Sequence, residues 1–272
     1  MTFGPLVDAG WLRTHMNDGN VAVIDFRWHL LGPKGHDQYL GGHIPGAVFV
    51  DLEAVSGREG PGRHPLPSPE QFQAQMRAAG VTSETKVVVY DDEGGSAAAR
   101  LWFLLGWFGH DDQAVLDGGI QAWGSPLETD FPHTVPGDFT AREPDRSRVL
   151  DFEAVSRLGD LPLLDARAGE RYRGEAEPVD PKAGHIPGAL SAPWQENLAP
   201  GGKFKSPQEL RQRFEGLGAE QGAVSYCGSG VTACHNVLAM RLAGLPDALL
   251  YEGSWSDWSH RDAPVATGAE PG

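Results

Sequence analysis

The sequence contains one pattern twice. Val23-Ile24-Asp25-Phe26-Arg27 returns as Leu163-Leu164-Asp165-Ala166-Arg167, and Gly42-His43-Ile44-Pro45-Gly46-Ala47 as Gly184-His185-Ile186-Pro187-Gly188-Ala189. Ser68-Pro69-Glu70-Gln71 returns as Ser206-Pro207-Gln208-Glu209, Val89-Tyr90-Asp91 as Ser225-Tyr226-Cys227, and Asp117-Gly118 … Trp123 as Glu252-Gly253 … Trp258. The blocks keep their order at a spacing of roughly 140 residues, too long for a solenoid repeat, so each copy is a whole domain. For a chain of 272 residues this predicts an N-terminal domain at 1–124, a linker at 125–147 and a C-terminal domain at 148–272. The join holds Pro126, Pro132, Pro136, Gly137 and Pro144 and has no helical periodicity. The tail, 263–272, is rich in Pro, Gly and Ala and is expected to be loose.

Each copy reads as alternating strands and helices. A short apolar run ending in Asp (21–24; 161–164) suits a buried parallel strand, and a second short strand follows Gly-His-Ile-Pro-Gly-Ala. Ser68 and Ser206 read as N-caps, with Pro69 and Pro207 at the first helical position and Gln71 and Glu209 closing capping boxes. A strand at 86–90 or 223–226 then runs through a tight loop into an apolar helix at 97–108 or 231–243. A last strand (114–116; 248–250) leads to a Gly turn and a Trp-rich helical segment, where Ser254 and Asp257 form a further capping box. The predicted class is α/β, two tandem domains, each a mainly parallel sheet flanked by helices.

Charge narrows the partners. There are 22 basic residues against 37 acidic ones, a net charge of −15, with no basic run. Nucleic-acid binding needs clustered Lys and Arg to displace counterions, so it is not expected. No apolar run approaches the ~18 residues of a membrane span, so no membrane partner is expected. Residues 1–5 carry no basic or apolar leader features, which makes the cytoplasm the expected compartment. Two cysteines, Cys227 and Cys234, make no disulfide framework and point to free thiols in a reducing compartment.

Residues that both copies share are structural candidates first. His43 and His185 are expected to pin a turn before a buried strand, and Asp25/Arg27 and Asp165/Arg167 to form ion pairs or loop clamps. The copies differ where the third strand ends. The first reads Asp91-Asp92-Glu93-Gly94-Gly95-Ser96-Ala97 and the second Cys227-Gly228-Ser229-Gly230-Val231-Thr232-Ala233. A strand end opening into a helix is where α/β folds place ligands. The N–H groups of a tight loop and helix start converge there and favour an anion, hence a thiolate at Cys227. Gly228 and Gly230 let the backbone curl around sulfur and its cargo, and Thr232 offers a hydroxyl. A merely buried, packing cysteine is the plainer alternative. For Cys234, about two helical turns further on, packing is the preferred reading, with a redox role left open.

The loop Cys227 to Ala233 resembles the active loop of the rhodanese superfamily, in the form of its 3-mercaptopyruvate sulfurtransferase type. Both Gly-His-Ile-Pro-Gly-Ala motifs, Tyr172-Arg173-Gly174 and Tyr251-Glu252-Gly253-Ser254-Trp255 carry the same resemblance, which spans nearly the whole chain. It implies tandem rhodanese-like domains, an inactive first copy and a catalytic second one. The implied activity moves a sulfane sulfur from 3-mercaptopyruvate or thiosulfate, through a Cys227 persulfide, to cyanide or to a thiol, small or thioredoxin-like. No cofactor or metal is called for. Gly228, Gly230, Val231 and Thr232 would line the held sulfur. The mercaptopyruvate type is further associated with a Ser, His and acid set, matched here by Ser229, His64 and Glu53, the last two drawn from the first copy.

Arg171 matches one of two arginines expected on the donor's carboxylate. The second position is Val179, for which Lys182 or Arg100 could substitute. The loop itself offers no fixed positive charge, which favours mercaptopyruvate over the compact dianion thiosulfate. A thiosulfate-preferring enzyme and a non-enzymatic sulfur-carrier or interaction module remain alternatives. A Cys-x5-Arg phosphatase is disfavoured by Ala233 in the Arg position, and a zinc site at Cys227, Cys234 and His235 by its spacing. A cysteine protease would need an orienting partner for His64 that the repeat architecture does not suggest.

Overall fold

The structure, a computed structural model, describes residues 3–272. It divides into two units. The first comprises Met1–Gly57, Pro67–Pro144 and Pro200–Lys203, and the second Arg58–Leu66, Asp145–Ala199 and Phe204–Gly272. The short segment Arg58–Leu66 therefore belongs to the second unit, although it lies in the first copy of the sequence.

The first unit runs β1 (Leu6–Val7), α1 (Ala9–His15), β2 (Val21–Asp25), α2 (Gly35–Gly41), β3 (Val48–Phe49), α3 (Pro69–Ala78), β4 (Lys86–Tyr90), α4 (Ala98–Trp107) and β5 (Gln113–Leu116). The second runs β6 (Val149–Leu150), α5 (Phe152–Ser156), β7 (Leu163–Asp165), α6 (Gly169–Tyr172), β8 (Ala189–Ser191), α7 (Pro207–Gly216), β9 (Val224–Tyr226), α8 (Ala233–Leu242), β10 (Leu249–Tyr251) and α9 (Ser254–Trp258). The sheets have the same order, β1-β5-β4-β2-β3 and β6-β10-β9-β7-β8, with every pair parallel. β4 and β9 are central and buried, as their Val- and Tyr-bearing runs require. Equivalent side chains fill the two cores: Val23 and Leu163, Ile44 and Ile186, Val88 and Val224, Tyr90 and Tyr226, Trp123 and Trp258. Among the described residues no helix is long and apolar enough to cross a membrane.

Several expectations change. Among the described residues only α7 closes a full capping box, between Ser206 and Glu209; in α3, Ser68 accepts from the Gln71 amide, but the Gln71 side chain donates to the carbonyls of Ala54 and Ser56. Gly253, not Ser254, is the N-cap of α9. The Pro-rich join packs within the first unit, where Glu128 bridges His43 and Phe139 N–H donates to Val81. The tail is likewise held in the second unit, where Ala266 bridges His185 and Pro271 accepts from Gly188 N–H. In both copies the returning chain thus ties down the Gly-His-Ile-Pro turn, using backbone groups that composition does not reveal.

Candidate active site

The loop after β4 shows what this fold does at that position. The Asp91 carboxylate is buried and accepts four backbone N–H groups: Glu93 and Gly95 on Oδ1 at 3.0 and 2.8 Å, Ala97 and Ala98 on Oδ2 at 2.8 and 2.9 Å. Burial pushes this carboxyl above its ordinary range, and the four amides pull against it. The first copy's loop gathers an anion supplied by its own chain.

The second copy places Cys227 where Asp91 stands. Cys227 follows β9, is only 2% exposed, and opens the loop into α8, which begins after Thr232. Both loops turn on a left-handed glycine, Gly94 at φ 64° and Gly230 at φ 78°, a conformation that costs other residues a Cβ clash. The Thr232 side chain makes no capping bond to α8. Trp255 N–H donates to Cys227 O at 2.9 Å, as Ile120 N–H does to Asp91 O. Ser254 sits at φ 53°, where the first copy has Gly119 at φ 59°. Its hydroxyl accepts from Cys227 N–H at 3.2 Å and donates to Tyr251 O at 2.9 Å, which offsets a strain on the order of 1–3 kcal/mol.

Ser229 and His64 meet inside the second unit, Oγ to Nδ1 at 2.7 Å, both buried. Arg171 is gripped by Glu177, with Nη2 at 2.6 and 2.9 Å from its two oxygens, and reaches Asp180 at 3.4 Å. Burial raises the Glu177 carboxyl, but the Arg171 bonds, with the amides of Asp180 and Val179, hold it below its ordinary range. Arg167, buried against Asp165, also pairs with Glu177. Asp180 carries the chain on to Arg63. Acid and base alternate through six residues: Asp165, Arg167, Glu177, Arg171, Asp180 and Arg63. Two of the guanidiniums stand against the loop. A Cβ built on Gly228 would lie 3.0 Å from Arg63 Nη2 and 3.4 Å from Arg171 Nη1. The expectation of no fixed positive charge beside the thiol is therefore corrected: the loop carries none, but two arginines face residue 228.

The other named residues fall elsewhere. Lys182 Nζ donates to the carbonyls of Arg261 and Ala263, so its ammonium is directed at the C-terminal segment. Arg100 is fully buried within α4 of the first unit. Val179 is exposed, its N–H donating to Glu177. Glu53 opens a short 3-10 turn, Glu53–Val55, of the first unit, and partial burial with neighbouring Asp51 pushes its carboxyl up. The second unit by itself thus brings together Cys227, Ser229, His64 and Arg171 without Glu53. Cys234 is buried in α8, its thiol on Gly230 O.

The shared residues are structural. His43 bonds the carbonyls of Tyr39 and Asp130 and stacks on Tyr39; His185 bonds those of Tyr172 and Pro271 and stacks on Tyr172. Arg27 and Arg167 each clamp their Asp and the carbonyl of Gly42 or Gly184. Sequence reasoning missed Arg63, Glu177 and Asp180, and read Ser254 as a helix cap rather than as the hydroxyl that accepts from Cys227 N–H. Arg63 had a signal, since it adjoins His64 in Arg63-His64-Pro65.

Both halves match the rhodanese-like domain family, at residues 8–126 and 151–261. The chain is 44% identical over 284 residues to a probable 3-mercaptopyruvate sulfurtransferase of Pseudomonas aeruginosa, across 98% of this chain and 100% of that one. It is 42% identical over 269 residues to the putative thiosulfate sulfurtransferase SseB of Mycobacterium tuberculosis, across 93% of each. Among solved structures, the 3-mercaptopyruvate sulfotransferase SseA from Escherichia coli aligns with a TM-score of 0.82 at 35% identity, covering 93% of this chain and 99% of that one.

Proposed function

Since this chain belongs to the rhodanese family and is a sulfurtransferase, we propose that Cys227 carries the sulfur as a persulfide and that 3-mercaptopyruvate is its better donor. The observation that carries this reading is the pair of equivalent loops, one closed around the Asp91 carboxylate and the other opening on the Cys227 thiol. By sequence register the amides of Ser229, Val231 and Ala233 correspond to three of the four that bind Asp91, and would hold the outer sulfur of the persulfide; the fourth, Cys234 N–H, donates to Val231 O at 3.1 Å.

In the first half-reaction the Cys227 thiolate attacks the donor's sulfur. An S–S bond forms, the donor's C–S bond breaks, and its electron pair passes into the enolate of pyruvate. Ser229 gives the enolate a proton and regains one through His64, 2.7 Å away. In the second half-reaction a thiol, small or on a thioredoxin-like protein, or cyanide attacks the outer sulfur, and the S–S electron pair returns to Cys227. Two free cysteines suit a reducing compartment such as the cytoplasm.

The Ser229–His64 pair separates the donors. An enolate needs a proton, whereas sulfite, the product of thiosulfate, leaves as a stable anion. Steady-state kinetics with both donors test this. Wild type is expected to show the higher kcat/KM with mercaptopyruvate, and Ser229→Ala to lower kcat with that donor by about 10²–10⁴, with a much smaller effect on thiosulfate. Equal losses with both donors, or a wild type that prefers thiosulfate, would overturn the donor assignment.

A further inference from the structure

We propose that the second unit holds an acceptor site beside the Cys227 loop, a cavity that takes the α-amino acid head of a small peptide thiol and directs its sulfur along the sheet edge to the persulfide. The assignment deepens the reading of Cys227 as the sulfur carrier and rests on it.

The register of the sheet sets the cavity near the thiol. Leu250 of β10 pairs with Ser225 of β9 on one side and with Val149 of β6 on the other. Two residues on, Cys227, Glu252 and Asp151 stand in one row at the carboxyl ends of these strands, and Glu252 N–H still donates to Leu150 O at 3.2 Å. This is the edge at which parallel sheets bind ligands. At about 4.8 Å per strand, the Asp151 backbone lies roughly 10 Å from that of Cys227.

A cavity of about 650 Å³ opens at the two acids, lined also by Pro61, Phe152, His260 and Arg261. Its wall meets the active loop. Gly62, at φ 76°, lies so close that a Cβ would sit 2.5 Å from Gly253 O. Arg63 N–H donates to Ser256 Oγ at 3.1 Å, and Ser256 N–H to Gly228 O at 2.8 Å.

The lining offers both signs of charge. Asp151 caps α5 through Oδ1, which accepts from Ala154 N–H at 2.8 Å, and its carboxylate has no ion pair among the described residues. Glu252 brings a second carboxylate on the neighbouring strand, so the two acids suit an ammonium. The cation is Arg261. It lies 4.2 Å from the centre of the Phe152 ring, and its Nε donates at 2.9 Å to Asp257, which Tyr251 OH holds at 2.8 Å. The guanidinium is thereby fixed, and its Nη groups, without a partner among the described residues, form a fork for a carboxylate. His260 donates from Nδ1 to Ser256 O at 2.7 Å, which leaves Nε2 to accept from a ligand N–H. Ammonium, carboxylate and amide together describe an α-amino acid head. In a γ-glutamyl thiol seven bonds separate that Cα from the sulfur, roughly 8–9 Å when extended, which matches the distance along the row.

The two copies separate site from scaffold. Asp151 and Glu252 have counterparts in Asp8 and Asp117, and Asp8 caps α1 in the same way. Asp257, His260 and Arg261, however, stand where the first copy has Ala122, Ser125 and Pro126. The fork belongs to the copy that has the thiol.

The test follows removal of sulfur from the preformed Cys227 persulfide by glutathione, by glutathione acetylated on its amino group, and by dithiothreitol, which has no charged head. The acceptor thiolate attacks the outer sulfur, the S–S electron pair returns to Cys227, and the acceptor leaves as its hydropersulfide. Asp151→Asn, which keeps the cap, and Arg261→Gln are each expected to raise the half-saturating glutathione concentration about tenfold, with a far smaller change for dithiothreitol. Acetylated glutathione should already show that loss with wild type, and Asp151→Asn should add little to it. Equal losses with glutathione and dithiothreitol would mean that these residues only support the fold. An unchanged half-saturation, or a wild type that does not saturate with glutathione, would remove the cavity from the acceptor's path. Failure of wild type to form a persulfide on Cys227 from either donor would instead overturn the functional reading itself.

Discussion

The residues proposed to do the chemistry differ in how openly the sequence shows them. Cys227 lies in a motif whose glycines and position after a strand announce a turn, whereas Ser229 and His64 were legible only through the family resemblance. Arg63 had only its neighbour His64 to point to it, because it lies in a segment without periodicity and meets the loop through Ser256, whose Oγ accepts from Arg63 N–H and whose N–H donates to Gly228 O. Glu177 was equally silent, since an acid six residues past Arg171 has no helical reason to meet it. Its charge is now tied to stability. Because folding lowers the Glu177 carboxyl, its contribution is complete above the ordinary Glu range of about 4.3 and is lost as pH falls through the lowered value. Urea unfolding of wild type and Glu177→Gln across pH should show a stability gap that is full at neutral pH and shrinks in acid. A gap that stays constant through the acid range would show that the carboxylate charge is not what stabilises the network.

At the scale of elements, strands and helices with clear apolar runs were legible to within a residue or two, and β4 at Lys86–Tyr90 matches the predicted span. β1 and β6 were missed because a two-residue edge strand has no period to detect. The join and the tail look loose in composition but are held by bridges to His43 and His185 and by further backbone bonds to Val81 and Gly188, long-range contacts that no local pattern encodes. The loop–helix element itself makes a prediction. Asp91→Asn keeps the shape of the side chain but turns an amide nitrogen toward two of the four backbone donors. Each buried donor left unpaired costs about 1–3 kcal/mol, so the variant should unfold at lower urea concentration. An unchanged midpoint would mean that the loop does not depend on the anion.

Across the whole molecule, duplication let the two copies take different parts. The same loop that closes on a carboxylate in one unit opens on a thiol in the other, and only the second is proposed to carry sulfur. The repeat made the tandem architecture visible from sequence. The placement of Arg58–Leu66 with the second unit was not visible, because contiguous motifs suggest contiguous domains. Intact-mass spectrometry after reaction with donor, in the absence of acceptor, tests the central claim most directly. The account predicts the gain of one sulfur atom per chain, located on Cys227, retained in Cys234→Ser and absent in Cys227→Ser; two sulfur atoms per chain, or any sulfur carried by Cys227→Ser, would contradict it.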